Sequence, residues 1–223
     1  PGCQRYSPRP APEPRPEEPQ PKPPVNLPVE PKKEMTKEEV RSLLATIPDL
    51  NPEITERIVI LLTADYSSEI FKDAQHKGGW KFLETESNIP PLVSALELLL
   101  AKFNPDYARF YWILSLISDI CLFRSQFITA KLFSLLLDLK KMTTFGSMDD
   151  PTHIINRIIF EGERSEFVPA YLAVLEERLT PDNVHNLPSA SEAAATIGEI
   201  ALKHKEFITS HTLSIFINLL KLF

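Results

Sequence analysis

The chain of 223 residues contains little cysteine, little glycine and no excess of positive charge. Its two cysteines, Cys3 and Cys121, cannot form a disulfide framework, so the sequence predicts a reducing compartment, the cytosol or the nucleus. Among the six glycines, the one adjacent pair, Gly78-Gly79, matches no phosphate-binding motif. With 24 Lys and Arg against 30 Asp and Glu, the net charge is -6, which argues against nucleic acid or anionic lipid as the main partner.

Long hydrophobic runs are absent as well. The uncharged segment 110–118 ends at Asp119 and is far shorter than the roughly 20 residues that a membrane-spanning helix needs. We therefore expect no membrane insertion. Because the chain begins without methionine and stops within the apolar segment 215–223, we also expect a piece of a longer protein, truncated at its C-terminus.

Proline, by contrast, is abundant and concentrated at one end. Residues 1–31 contain 12 of the 21 prolines and few apolar side chains, so this stretch cannot offset its own ordering entropy. Alternating prolines favour polyproline II, which is typical of a semi-rigid linker; a single PxxP, Pro21 to Pro24, leaves partner binding as the alternative. The sequence predicts a disordered Pro-rich linker over residues 1–33 and a helical domain over 34–223.

After residue 33, apolar residues recur at helical spacing almost without interruption. Thr36 with Glu39 predicts a capping box at the start of the first helix. Ser125 and Ser189 are the predicted N-caps of two later helices. No segment has the clean alternation of a strand, so we expect an all-α chain of ten to twelve helices.

Two architectures suit such a series of helices, a compact bundle and a solenoid of stacked hairpins. Prolines that mark helix starts group into units of about 40 residues, the period of armadillo and HEAT repeats. This spacing favours an armadillo/HEAT-like helical solenoid. Segments 112–120, 132–139 and 213–222 are apolar on more than one face, which predicts inner helices that are covered on both sides.

The sequence contains no recognisable catalytic or metal-binding pattern. Its five histidines lack the spacing of metal ligands, and no GxSxG motif is present. Cys121 lies among apolar residues, which is typical of a buried and inert thiol. Adjacent carboxylates such as Glu38 and Glu39 point about 100° apart on a helix and do not face each other. We expect no enzyme, no metal and no cofactor.

A surface for a protein or peptide partner is the remaining expectation. Helical repeats bind extended peptides, with aromatic and Arg side chains as anchors. Segment 107–112 places four aromatic residues around Arg109, and other cations on or near apolar helices would form a basic stripe that suits an acidic peptide. The alternative is that the rings are core and the cations are scattered on the surface. The predicted peptide-binding residues are Tyr107, Arg109, Trp112, Arg124, Lys131, Arg157 and Lys203.

Three segments resemble a known family. Residues 2–8, Gly-Cys-Gln-Arg-Tyr-Ser-Pro, are similar to the "RYxP" elements that precede the PUL domain in the phospholipase-activating-protein family of ubiquitin-binding AAA ATPase cofactors. Residues 28–34, Pro-Val-Glu-Pro-Lys-Lys-Glu, resemble the entry into that domain. Residues 91–99, Pro-Leu-Val-Ser-Ala-Leu-Glu-Leu-Leu, are similar to its "VFPALDLLRL" helix.

The resemblance implies an armadillo-like domain that binds the C-terminal tail of the valosin-containing-protein AAA ATPase. It would then act as an adaptor that couples ubiquitin-related cargo to the ATPase. When the sequence is aligned with the family, the arginines that contact the tail in the family correspond to Ser115 and Glu192 here. The alternative use of the same fold is a generic armadillo/HEAT scaffold in cytoskeletal or trafficking assemblies.

Overall fold

The computed structural model describes residues 36–76, 81–102, 107–143 and 150–220, without the side chains of 107–110 and 219–220. Within these ranges the chain is all-helical and contains no strand, which confirms the predicted all-α class. The predicted linker, residues 1–33, lies outside the described residues. The helices are α1 (Lys37–Leu44), α2 (Pro52–Thr63), α3 (Glu69–His76), α4 (Ile89–Lys102), α5 (Tyr107–Arg124), α6 (Ala130–Met142), α7 (Thr152–Asn156), α8 (Val168–Arg178), α9 (Leu187–Lys203) and α10 (Ser210–Leu220).

Helix α1 begins where its capping residues predict. The Thr36 hydroxyl accepts a hydrogen bond from the Glu39 amide at 3.2 Å, and the Glu39 carboxylate accepts one from the Thr36 amide at 2.9 Å. This reciprocal pair satisfies two backbone donors that the helix itself leaves without partners. The predicted capping box is therefore confirmed.

Two other predicted caps are wrong. Helix α6 is capped by Thr129, because Ser125 instead begins a short 3₁₀ turn ahead of the helix. Helix α9 is capped by Asn186, whose side chain accepts a hydrogen bond from the Ser189 amide. The helix starts early there because the residues after Asn186 are Leu and Pro, and proline suits the first turn of a helix.

Short 3₁₀ turns recur along the chain as corners ahead of α4, α6, α8 and α10. They begin at Glu86, Ser125, Ser165 and Lys205, which are 39, 40 and 40 residues apart. The third residue after each of these starts is apolar and is buried or half-buried: Ile89, Ile128, Val168 and Ile208. One local structure therefore recurs every 39 or 40 residues between residue 86 and residue 220.

The four corners are of two alternating kinds. At the first and third, the apolar residue is already helical and a proline follows it. At the second and fourth it is extended, and the threonine after it, Thr129 or Thr209, accepts a hydrogen bond from the amide three residues later, at 3.0 and 3.2 Å. Arg124 and His204, which precede this second kind, have closely similar backbone angles, φ/ψ of -149/42° and -136/47°. Residues 86–142 and 165–220 thus share one order of corners and helices.

Each helix in the later part of the chain packs against its neighbour in the chain or against the next helix but one. Consecutive helices α4 and α5, α6 and α7, and α8 and α9 contact each other, while α4 also packs against α6, α6 against α8, and α5 against α7. One apolar core runs through these contacts from α1 to α9. Leu96 and Leu99 are fully buried in it, as the apolar stripe of α4 predicts.

The corner at Ser125 is closed by a tight contact with the end of α7. Helix α7 continues into a π-helical turn, Arg157–Glu161, and Gly162 follows it. A Cβ on Gly162 would lie 2.8 Å from the Ser125 Cβ and 2.8 Å from the Ile158 carbonyl oxygen, so only glycine fits without a shift. Arg164 then donates a hydrogen bond to the Ser125 carbonyl.

Helix α10 differs from its prediction as an inner helix. Thr212 is buried, but Leu213 and Ile217 on a neighbouring face are 55% and 54% exposed. The prediction of coverage on both sides is therefore wrong for the described part of α10. Within the described residues, only one face of this helix packs on the rest of the chain.

Candidate functional site

Three of the predicted peptide-binding residues lie on α5. Tyr107 and Arg109 are in its first turn, and their side chains lie outside the described part of the structure. Trp112 is half-buried, and its ring meets the ring of Phe71 edge to face with centroids 5.8 Å apart. Because this contact joins α5 to α3, Trp112 serves packing between helices, the alternative that the sequence left open for its aromatic segment.

Lys131 pairs with a carboxylate of the preceding hairpin. Its Nζ lies 3.1 Å from Oε2 of Glu97 on α4, and the Thr129 hydroxyl donates a hydrogen bond to the other oxygen of the same carboxylate. Glu97 is buried, so a nearby cation and donor stabilise its charge. Lys131 therefore ties α6 to α4, although its own side chain is 66% exposed.

A related tie occurs between α10 and α8. Glu176 accepts a hydrogen bond from the Thr212 hydroxyl at 2.6 Å, and its second oxygen lies 3.8 Å from Nε2 of His211. Glu176 stands 79 residues after Glu97, and His211 stands 80 residues after Lys131. A glutamate of one hairpin thus bonds the start of the next in both places.

Two predicted cations meet at the π-helical turn. Arg157 donates a hydrogen bond to the Ser118 hydroxyl at 2.7 Å and places Nε 3.2 Å from the Glu161 carboxylate, so it bridges α5 and the turn. Lys203, at the end of α9, lies over the ring of Phe160 in the same turn, with Nζ 4.7 Å from the ring centroid. We call Arg157, Phe160 and Lys203 the π-turn patch.

Arg124, the remaining predicted residue, is half-buried at the end of α5. Its guanidinium donates a hydrogen bond to the carbonyl of the adjacent Phe123 at 3.2 Å. Phe123 itself is 60% exposed and the preceding Leu122 is 52% exposed. Arg124 therefore lies at the same corner as Ser125. The hydrogen bond that its side chain donates stays within the end of α5.

A buried ionic cluster joins α6, α7, α8 and α9, and the sequence did not predict it. Lys140 is fully buried, with Nζ 3.1 Å from Glu192 and 3.5 Å from Asp150, and it also bonds the Thr152 hydroxyl. Arg178 donates a hydrogen bond to the Lys140 carbonyl. Two carboxylates compensate the lysine charge, which stabilises it away from water. Lys140 follows Leu136 by four residues on the buried stripe of α6, which is the signal that identifies it.

Nucleophilic and metal-binding chemistry has little support among these groups. Burial raises the pKa of the Cys121 thiol to about 12, so it stays protonated and inert near neutral pH. In the parts of the chain that the structure describes, no group of three or more His, Cys, Asp or Glu could hold a metal ion. Each helix in the described ranges is too short or too polar to span a bilayer.

Helices and corners of this kind define an all-α chain with a local structure that recurs every 39 or 40 residues. Comparisons with known protein families, with curated proteins and with solved structures find no match for it. The resemblance to the PUL domain therefore stays a prediction.

Proposed function

We propose that the chain is a non-enzymatic, armadillo/HEAT-like helical-repeat domain that binds a peptide segment of a protein partner. The observation that carries this proposal is the recurrence of one corner every 39 or 40 residues, together with the contacts between alternate helices. Stacked units of this length form extended surfaces to which each unit contributes a few side chains. Such surfaces suit peptides better than they suit a reaction centre.

The chemistry of the most buried polar groups supports binding over catalysis. The Cys121 thiol is protonated at neutral pH, and the Lys140 amine is held between Glu192 and Asp150. Catalytic bases and nucleophiles need a group that is accessible and poised near the operating pH. Cys121 instead lies in the apolar core, and Lys140 joins helices through its ion pairs.

The proposed binding site is the π-turn patch. Arg157 is partly exposed, with 30% of its side chain accessible, and its ion-pair partner Glu161 is 61% exposed, so a peptide carboxylate can replace Glu161 at the guanidinium. Lys203 is exposed beside the ring of Phe160 and supplies a second cation on an aromatic platform. π-Helical turns occur frequently at functional sites. The patch matches an acidic peptide that carries an aromatic or apolar residue.

On the resemblance to the PUL domain, the proposed peptide is the C-terminal tail of a valosin-containing-protein-type AAA ATPase. The chain would then be an adaptor in ubiquitin-dependent protein turnover, in the cytosol or the nucleus. The alternative is a scaffold for another acidic partner on the same fold. The two differ in whether the ATPase tail binds at the π-turn patch.

Titration of a fluorescent ATPase-tail peptide tests the proposal by anisotropy at two salt concentrations. Lys203→Glu should weaken binding about tenfold or more, because reversing a charge near the surface changes a close pair by about 1 to 4 kcal/mol. Lys102→Glu makes the same change in net charge at an exposed position on α4 and should leave binding within about twofold. Absence of wild-type binding would remove the ATPase tail as the partner, and equal losses in both variants would remove the patch as the site.

A further inference from the structure

An open groove of about 590 Å³ lies between α8 and α10, outside the π-turn patch. Its floor is apolar and consists of Ala173, Leu179, Pro181 and Ile215. Its volume falls within the range of sites that take several ligand side chains or one small molecule. The groove is open to solvent, so side chains of a partner can enter it.

The corresponding helices of the preceding unit pack more closely. Helix α4 packs closely against α6, whereas α8 and α10 touch only sparsely. Helix α8 also ends at Arg178, while α4 continues to Lys102, whose counterpart is Pro181. Proline stops the helix there, so α8 lacks the last turn that α4 has. The contact between α8 and α10 is therefore sparser than the corresponding contact between α4 and α6.

Carboxylates line one side of this groove. Glu177 is exposed at the edge, and Glu176 lies beside it with its oxygens directed to Thr212 and His211. Among the described residues that line the groove, none is Lys or Arg. An occupant that buries apolar side chains on this floor thus meets negative charge at the rim, and cations on its flanks are favourable.

We propose that the α8–α10 groove binds an amphipathic helix of a partner protein, with Leu-type residues on one face and Lys or Arg beside them. A helix that lies between two others presents apolar residues at i, i+3, i+4 and i+7, and these would pack on Ala173 of α8 and Ile215 of α10. This surface is additional to the π-turn patch and has the opposite charge preference. The two sites together would let the chain hold an acidic and a basic segment at once.

The test uses a fluorescent 14-residue model helix of Leu and Lys at amphipathic spacing, with a Leu/Glu peptide of the same pattern for comparison. Ala173→Trp fills the groove, and Glu177→Lys reverses its rim. Their matched controls, Ala195→Trp and Glu199→Lys, make the same changes at exposed positions on α9. All four sites are exposed, and circular dichroism checks that each variant keeps its helices.

Anisotropy titrations should show the Leu/Lys peptide binding wild type, with each groove variant weakening it about tenfold or more and each control changing it less than about twofold. The Leu/Glu peptide should bind at least tenfold more weakly than the Leu/Lys peptide. Equal losses in groove and control variants would mean general attraction to an acidic protein and would overturn the site. Absence of Leu/Lys binding, or equal binding of both peptides, would overturn the proposed occupant.

Discussion

Removal of the Lys140 charge is the sharpest test of how the later helices are held together. Lys140→Met keeps the length of the side chain and leaves Glu192 and Asp150 without the cation that faces them. Both carboxylates are nearly buried, with 14% and 10% of their side chains exposed, so water replaces the lysine poorly. Removing one partner from a buried ion pair costs about 3 to 5 kcal/mol. We expect a loss of that size in the free energy of unfolding.

The adjacent lysine supplies the control. Lys141→Met removes the same charge from a side chain that is 48% exposed and lies 3.7 Å from Asp138. Exposed pairs of this kind contribute about 0 to 1 kcal/mol. Urea unfolding followed by circular dichroism at 222 nm measures both variants, with a second probe to test for a two-state transition.

Neutralising the two carboxylates that Lys140→Met leaves unpaired should restore part of the lost free energy of unfolding. Adding Glu192→Gln and Asp150→Asn to Lys140→Met removes the buried negative charges, and neutral replacements of buried ion pairs are often well tolerated. The single variant is therefore expected to be less stable than the triple variant. If Lys140→Met costs no more than Lys141→Met, the buried ionic cluster does not exist as described and the reasoning fails.

Three further predictions follow from burial and close contacts. Gly162→Ala should destabilise the protein by about 1 to 3 kcal/mol because the new Cβ meets Ser125, whereas Gly198→Ala, with nothing within 4 Å of the new Cβ, should stabilise α9 by up to about 1 kcal/mol. Equal effects of the two changes in urea unfolding would contradict the contact at Gly162. Leu99→Ala should cost about 2 to 5 kcal/mol, and a loss under about 0.5 kcal/mol would place Leu99 outside the core. In a Cys3→Ser background, Cys121 should resist iodoacetamide at pH 8 until the chain unfolds, since its thiol has a raised pKa of about 12; rapid native labelling would refute its burial.

Local features of the fold could be predicted from the sequence. The all-α class follows from helical periodicity, and the start of α1 follows from Thr36 and Glu39, which lie three residues apart and need no distant partner. Burial of Leu96 and Leu99 follows from their positions on one stripe of α4. These inferences depend on neighbours along the chain, which the sequence displays directly.

The sequence does not single out the corners, because a serine ahead of an apolar run also has the pattern of an N-cap. Ser125 precedes such a run, but the chain first makes a 3₁₀ turn and Thr129 caps the helix. A signal was present: the triplet Phe-Ile-Thr occurs at 127–129 and again at 207–209, and Phe-Val-Pro occurs at 167–169. Comparing these triplets would have located three corners at a spacing of 40 residues.

The roles of the predicted cations depend on tertiary partners, so the sequence could not assign them. Lys131 forms an ion pair with the buried carboxylate of Glu97, which lies on a different hairpin. Arg157 begins the π-helical turn, and Lys203, 46 positions later in the chain, lies over Phe160 of the same turn. Residue type and helix face indicate that a cation is near the surface, but only the packing decides which of them share a patch.

The recurrence also indicates where a function specific to this chain is to be expected. Residues 86–142 and 165–220 share their corners and the glutamate tie, Glu97 in one and Glu176 in the other, so these features belong to the common scaffold. The two stretches differ at the α8–α10 groove, where Glu177 stands in the place of Leu98. A half-buried apolar residue of the first stretch is thus replaced by an exposed carboxylate at the edge of an open apolar floor. The exchange does not improve the packing of the scaffold, but it adds a negative charge that attracts a partner helix with basic flanks. This difference is the strongest reason to look for that partner at this groove.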